Sequence, residues 1–319
     1  MASPNSTFTE MVTTTLRHHP SEINDNISDN NALLTYLKER GKIETISGGY
    51  EIVEPLDYAE NSTYQRYSGY DNLNTAASDV LSAAKFDWAQ VAIHVVASGR
   101  EMRMNSGEEA MIKLVKARLK NATRTAANNM SVDLYGSGAL TNQIGGLAHV
   151  IQTNGEGTVG GIVSGTYTFW KNQFFECTSA PGVTTMTGHM NTLWLRCVRG
   201  TDKPDLLVSS HDFYAFYEGQ LQALQRYSDA KSAAAGFETL KYKTANVLFD
   251  DNTNFSTTAE KMYFLNTNYL KLTQHKEAKW TQDEDKVPVN QDAVVVPIYW
   301  MGQLVVSNRN LQGILIDES

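Results

Sequence analysis

Gly155-Glu-Gly-Thr-Val-Gly160 matches the G-x-G-x-x-G spacing of dinucleotide-binding loops. Such a loop works where its glycines open a helix whose N-terminus faces the pyrophosphate. Here the continuation, Gly161-Ile-Val-Ser-Gly-Thr-Tyr-Thr-Phe-Trp170, reads as extended, and Glu156 would set a carboxylate against the phosphates. A flexible surface loop is the expected role, and no cofactor is assigned. Asp250-Asp-Asn-Thr-Asn254 has the look of a calcium loop. Phe255, however, stands where that loop needs Gly, and Lys261 where it needs a bidentate Glu. A solvated turn is expected there, with no metal.

The remaining reactive side chains form no local constellation. The seven histidines make no HExxH or HxxxH pair, and His18 and His19 sit side by side in a polar leader. His94 lies on a strand face, where it reads as a satisfied interface or core group. Cys177 and Cys197 have no CxxC partner and read as reduced, buried thiols. There is no GxSxG elbow and no P-loop. No catalytic residue is assigned.

The elements around these residues are more informative. Gly48–Asp57 and Phe86–Val96 read as the outgoing and returning limbs of a long hairpin. On the return, Ala89, Val91, Ile93 and Val95 fall on one side and Trp88, Gln90, Ala92, His94 and Val96 on the other. The intervening residues 58–85 are rich in Tyr, Asn and Ser and too polar to form a core. Because an isolated hairpin is marginal in water, this one is expected to lie on a neighbouring subunit. Tyr58, Tyr64, Tyr67 and Tyr70 are the inter-subunit contact candidates, since tyrosine buries large area at low entropic cost.

A long helix follows. Ser106-Gly-Glu-Glu109 is a capping-box pattern, and Met111, Val115, Leu119, Ala122, Ala126 and Met130 recur at helical spacing. Gly136 and Gly138 end it. About thirty residues make a rod of roughly 45 Å. Before the hairpin, residues 1–44 form a polar leader with one short helix near Asn31–Arg40, expected to be disordered or docked on another subunit.

From about 139 the texture is α/β. Leu147–Gln152 and Tyr167–Phe169 read as strands around the Gly-rich loop. Met186, Met190, Leu193, Trp194 and Cys197 form a helical stripe ended by Gly200 and Pro204. Asp205–Val208 reads as a strand, and Ser209-Ser-His-Asp212 as the cap of a helix turning Phe213, Phe216, Tyr217, Leu221 and Leu224 inward. Lys243–Phe249, 261–272 and 293–315 supply further strands, the last punctuated by Met301-Gly302.

Composition narrows the class. The 319 residues suffice for one large domain or two ordinary ones. A 41% hydrophobic fraction suits a folded protein, and a net charge of −8 argues against phosphate gripping, which needs clustered Lys and Arg. Nucleic acid confined without being gripped is still allowed. The first residues lack a basic region and an apolar run, so no signal peptide is expected. No run approaches the roughly eighteen apolar residues of a membrane span.

Lys203-Pro-Asp-Leu-Leu-Val-Ser-Ser-His-Asp-Phe-Tyr-Ala-Phe-Tyr217, followed by Gln225-Arg-Tyr-Ser-Asp229, resembles the major capsid proteins of tailed bacteriophages. Lys261-Met-Tyr-Phe-Leu-Asn-Thr-Asn-Tyr-Leu-Lys-Leu272 is similar to the same family, and the order of elements agrees over nearly the whole chain. The resemblance implies an α+β Hong Kong 97-like capsid fold. In it, 1–47 would be the N-terminal arm, 48–98 the E-loop hairpin and 99–138 the spine helix of the P-domain. Residues 139–260 would be mainly A-domain, and 261–319 the closing strands of both domains. It further implies a non-enzymatic subunit of the phage head, made in the host bacterial cytoplasm. Hexamers and pentamers would close an icosahedral shell around double-stranded DNA, without sequence-specific binding or a membrane. Scaffolding and portal proteins are implied partners, with a decoration protein as an optional one. The best-known member cross-links Lys to Asn, and Lys85 is the sole lysine of 45–100, though most relatives lack the bond. The alternatives are an encapsulin-type nanocompartment shell, a nucleotide-using α/β enzyme built on Gly155–Gly160, and a tail or neck component.

Overall fold

The computed structural model describes residues 32–104, 108–177, 181–221, 240–250, 260–282, 286 and 290–317. Two compact units form. The smaller holds Gln90–Met130 and Glu277–Trp300, and the larger Ala32–Ala89, Ser131–Lys276 and Met301–Ser319.

The leader helix is α1, Ala32–Glu39. Its Leu33, Leu34, Tyr36 and Leu37 are buried, and the Tyr36 hydroxyl donates to the Asp205 carbonyl at 3.3 Å. This helix therefore docks on its own chain, where the sequence suggests disorder or docking on another subunit. Residues before it, His18 and His19 included, lie outside the described residues. After β1 (Ile43–Ile46), β2 (Ile52–Asp57) pairs antiparallel with β3 (Leu81–Phe86), Ile52 opposite Phe86 and Asp57 opposite Leu81. The expected return limb is thus a separate strand, β4 (Ala89–Ser98). It belongs to a four-stranded sheet in the order β1-β12-β13-β4, where β12 is Leu270–Gln282 and β13 is Ala293–Val306. The sequence Leu81-Ser-Ala-Ala-Lys-Phe86 carries little strand signal of its own, and its partner decides it. The alternation in β4 holds, with Ala89 and Val95 buried and His94 on the exposed side. His94 is therefore not a core group, which leaves the interface alternative of that expectation.

In the smaller unit, α2 (Gly99–Met104) precedes the long helix α3, Glu108–Tyr135, whose 28 residues span about 42 Å and whose end, from Ser131 on, belongs to the larger unit. Ser106 and the side chains of Met111, Val115 and Leu119 lie outside the described residues. Ala122 and Ala126 are buried as the stripe requires, and Ala122 packs with Val95 and Ile298. Arg118 pairs with Glu101 at 2.7 Å within this unit. No described helix is long and apolar enough to cross a membrane.

The larger unit is centred on a six-stranded mixed sheet. Its order is β7-β14-β11-β8-β10-β9, built from β7 (Gln173–Glu176), β8 (Leu206–Ser209), β9 (Leu240–Tyr242), β10 (Ala245–Phe249), β11 (Glu260–Leu265) and β14 (Gly313–Asp317). Helices α5 (Met186–Cys197) and α6 (His211–Leu221) share one core with it. All five residues of the expected stripe, Met186, Met190, Leu193, Trp194 and Cys197, are buried in that core. Removing each such side chain from water stabilises by about 1.5–3 kcal/mol. A Cβ on Gly313 would lie 2.5 Å from the Cys197 sulfur, so only glycine lets α5 approach β14 this closely. Both cysteines are free and buried. Burial, with the charges of Asp317, Glu260 and Glu176, pushes the Cys177 thiol up to about 11, and burial pushes Cys197 up to about 12. Leu206, Val208, Tyr263, Leu265 and Ile314 on the alternate positions are buried too, as in a sheet covered on both sides.

Several local expectations are corrected. Leu147–Val150 is a short helix, α4, with Leu147 and Val150 buried on one side. Thr168–Trp170 is a 3-10 turn, held by Trp170 Nε1–H donating to the Val159 carbonyl at 2.9 Å. In both places apolar runs of three or four residues carry no period that separates strand from helix. The expected strand at 243–249 begins only at Ala245, because Lys243 turns in the left-handed region at φ 53° between β9 and β10. β13 runs through Met301-Gly302 without a break. At α6 the Ser210 carbonyl accepts from the Tyr214 amide, but the Ser210 hydroxyl caps nothing and is buried without a partner. Phe213 and Tyr217 are buried as expected, while Leu224 lies outside the described residues.

Candidate assembly surface

The alternation of β2 decides which side of the hairpin meets the body. Ile52, Glu54 and Leu56 are buried and Val53, Pro55 and Asp57 exposed, while Ala84 and Phe86 are the buried residues of β3. The inner face therefore lies on its own subunit, and only the segment beyond Tyr58 stands free.

Three contacts hold the base. The Lys85 amide donates to the Gly160 carbonyl at 2.9 Å, and a Cβ on Gly160 would come within 2.8 Å of the Ala84 Cβ. The glycine of the G-x-G-x-x-G stretch is thus needed for hairpin docking. The loop opens the strand pair β5 (Thr158–Val159) and β6 (Ile162–Val163), where a dinucleotide fingerprint requires a helix. Second, Lys271 on β12 forms ion pairs with Glu54 of β2 and, at 2.6 Å, with Glu44 of β1. Glu54 is only 9% exposed, so this ammonium neutralises a carboxylate that water does not reach well. Third, Trp88 Nε1–H donates to the Gly49 carbonyl at 2.9 Å, and its ring meets His275 edge-on at 5.7 Å. Lys85 itself lies 3.5 Å from Glu51 as a largely exposed pair.

The four tyrosines separate into two groups. Tyr58 turns inward and stacks on Phe169, centroids 5.5 Å apart. Tyr64 and Tyr67 are 81% and 66% exposed, and Tyr70 is fully exposed. The segment carrying them is organised by its own polar side chains. Gln65 Nε2–H donates to the Asn72 carbonyl at 2.9 Å, and Gln65 Oε1 accepts from the Asn74 amide at 3.2 Å. The Asn74 side chain donates to the Ser62 carbonyl at 3.2 Å, and Asp71 accepts from the Ser68 amide at 2.8 Å. The sequence marks this stretch as too polar for a core but gives no sign of its order, which comes from amide and carboxylate side chains bonding to its own backbone. Sequence reasoning also passed over the exposed Arg66, Leu73 and Tyr50.

Where the ribbon ends, it borders an open cleft of about 520 Å³ whose lining includes Asp57, Tyr58, Phe169, Arg199, Asp202 and Asn310. Arg199 donates to Asn310 Oδ1 at 3.0 Å, and Asp202 accepts from the Tyr269 hydroxyl at 2.9 Å. Behind it lies Arg309, fully buried, whose guanidinium donates to the Val150 and Trp170 carbonyls and to Asn172 Oδ1 at 2.7–3.0 Å. Burial pushes its pKa down to about 10. No linear motif could announce this cleft, since its lining comes from four separate stretches of chain.

Other candidate positions have structural partners. Asp250 is buried and accepts from the Tyr135 hydroxyl at 2.9 Å, tying the end of α3 to β10, while residues 251–254 of the calcium-like stretch lie outside the described residues. Among the described residues no three His, Cys, Asp or Glu side chains gather as a metal site.

No family model and no curated protein matches this sequence. Solved structures do match. A chain of the cyanophage A-1(L) capsid is 14% identical with a TM-score of 0.64, covering 93% of this chain and 94% of that one. The encapsulin of Synechococcus elongatus is 9% identical with a TM-score of 0.62, over 99% and 95%. The capsid protein of the native GTA particle is 11% identical with a TM-score of 0.61, over 99% and 100%. Likeness at such identities is one of fold. The chain has the α+β fold of these shell proteins, the Hong Kong 97-like capsid fold expected from its sequence.

Proposed function

We propose that this chain is the major capsid protein of a tailed phage, a structural subunit that self-assembles into hexamers and pentamers and closes an icosahedral head. The observation that carries the reading is the alignment of 93% of this chain with 94% of a phage capsid chain. The exposed tip of tyrosines on a hairpin pinned at its base adds to it. The mechanism is burial at interfaces: many modest contacts per subunit, repeated around closed symmetry, hold a shell that no single contact could. Tyr58, Tyr64, Tyr67 and Tyr70 are the proposed contact residues, Tyr58 through the wall it builds and the others directly.

In this reading residues 1–47 serve as the N-terminal arm, 48–98 as the E-loop and 99–138 as the spine. Residues 139–260 serve mainly as the A-domain, and 261–319 as closing strands. The shell encloses double-stranded DNA without sequence-specific contacts, in keeping with a net charge of −8. Scaffolding and portal proteins are its proposed partners. The role is architectural, with no catalytic residue assigned.

The likeness to an encapsulin supports a second reading, a nanocompartment shell. Electron microscopy of the purified protein tests both, and closed particles of uniform size are expected. Particles from the native source should then hold nuclease-protected double-stranded DNA. Protein cargo without DNA would shift the assignment to a compartment, and subunits that never form closed particles would remove both readings.

A further inference from the structure

A short aromatic ladder meets water at the cleft. Phe169 on its lining stacks on Tyr58 with ring centroids 5.5 Å apart, and Tyr167 meets Phe169 edge-on at 6.2 Å. Tyr167 and Thr168 are exposed, and Tyr58 and Phe169 are only partly buried. The face of an aromatic ring carries the negative lobe of its quadrupole, so it attracts the partly positive C–H groups of a flat saturated ring. The cleft's volume of about 520 Å³ falls in the range of small-molecule sites.

The polar groups beside the ladder are held in place and only half spent. Asp202 accepts from the Tyr269 hydroxyl through Oδ2 at 2.9 Å, which leaves Oδ1 to accept again. Asp57 is exposed at the end of β2 and its carboxylate has no partner among the described residues. The Asn308 side-chain oxygen accepts from the Asn310 amide at 3.1 Å, and its NH2 group is left to donate. Arg199 is engaged with Asn310, so the carboxylates of Asp57 and Asp202 dominate the lining and disfavour phosphate, sulfate or uronate. A neutral polyol suits this set, because each of its hydroxyls can donate to a carboxylate or accept from an amide. The walls are also fixed before any ligand arrives. Arg309 donates to the Trp170 carbonyl at 3.0 Å, and the Asn310 side chain to the Lys171 carbonyl at 3.3 Å, tying two stretches of the lining together.

We infer that this cleft binds a neutral pyranose residue of a glycan, with the C–H face of the sugar on the Tyr58–Phe169 ladder and its hydroxyls held by Asp57, Asp202 and Asn308. The inference adds a binding activity to the architectural role and stands whether or not the chain closes shells. One sugar makes few contacts, so affinity per site falls in the millimolar range. Repetition of the cleft over a shell would raise avidity for a glycan-coated surface without any new contact.

The test is saturation-transfer NMR on the purified full chain with the methyl pyranosides of glucose, galactose, mannose and N-acetylglucosamine, each at millimolar concentration. Saturable transfer to the ring protons of one sugar face is expected for at least one of them. Asp57→Asn and Asp202→Asn keep the side-chain shape and remove the charge. Each should weaken binding about tenfold, equivalent to about 1.4 kcal/mol, because hydrogen bonds to a carboxylate are the stronger kind. Phe169→Leu should abolish transfer, with circular dichroism confirming that the variant is folded. Asp57 is exposed, so its variant tests the site without risk to the core. Silence from all the glycosides would overturn the site. Transfer that survives both Asp57→Asn and Phe169→Leu unchanged would overturn it as well, since the sugar would then sit elsewhere. Tighter binding of a simple diamine than of every pyranoside would mark the cleft as a cation site and overturn the assignment to a glycan.

Discussion

Arg309 donates its Nε–H to the carbonyl of Val150 across 2.7 Å, from a side chain with no exposed surface. Its three hydrogen-bond acceptors are all neutral: two backbone carbonyls and an amide oxygen. A guanidinium buried without a carboxylate is tolerated only where good geometry offsets its desolvation. Removing it should expose how much that geometry contributes. Arg309→Met leaves the Val150 and Trp170 carbonyls short of a donor and should destabilise by about 3 kcal/mol. Arg309→Lys, which cannot reproduce a planar fork with three divergent donors, should recover little of that. Thermal unfolding decides; an unchanged midpoint for Arg309→Met would mean the clasp is dispensable.

Lys271 joins β1 to the hairpin through Glu44 and Glu54. Lys271→Met should leave Glu54 poorly hydrated and unneutralised, loosening the ribbon from the body. Hydrogen exchange across 52–57 and 81–86 should then accelerate about tenfold, equivalent to roughly 1.4 kcal/mol, while the six-stranded sheet keeps its protection. Lys271→Met combined with Glu54→Gln should regain part of the loss. Unchanged exchange in the ribbon would show that packing of Ile52, Leu56 and Phe86 suffices alone.

Glu260 opposes Asp317 in the β11–β14 register. Burial, its hydrogen bond with Asp212, and the charges of Asp212 and Asp317 push its carboxyl up to about 7. An unfolded glutamate titrates near ~4.3, so the folded state holds the proton more tightly. This group therefore contributes stability at low pH that fades as the pH rises and is gone above about 7. The melting temperature of the subunit should fall between about pH 5 and pH 8, and Glu260→Gln should flatten that slope. Equal slopes for the two proteins would mean that Glu260 ionises freely in the fold.

Gly160 has no room for a side chain beside Ala84 and Phe86. At φ 59° it also sits where a β-branched residue is strained. Gly160→Val should destabilise by about 2–4 kcal/mol and detach the ribbon while α5, α6 and the six-stranded sheet remain folded. Melts of the unaltered protein with and without millimolar NAD or ATP should coincide, since a ligand at a hundred times its Kd adds about 2.7 kcal/mol. An upward shift lost in Gly157→Val would return the loop to a nucleotide-binding role.

Much of the fold was legible because long periodic elements announce themselves. The α5 stripe from Met186 to Cys197, the strand alternation of Ala89 to Val95 and the rod ending at Tyr135 all repeat one pattern over many residues, and sequence order alone carries it. Composition likewise marked 58–85 as a surface without a core, which holds up to about residue 80 and fails at the buried Ala84 of β3. Local periodicity failed where tertiary partners choose the conformation. Leu81–Phe86 is a strand because β2 lies beside it, Leu147–Val150 a helix ending on Arg309, and Lys243 a left-handed turn joining β9 to β10. The same limit applies to the assembly surface. Tyr64, Tyr67 and Tyr70 could be named from residue type, which belongs to the chain. Their separation from Tyr58, the stapling by Gln65 and Asn74, and a cleft drawn from four distant segments arise only when the folded backbone brings those groups within hydrogen-bond and van der Waals range.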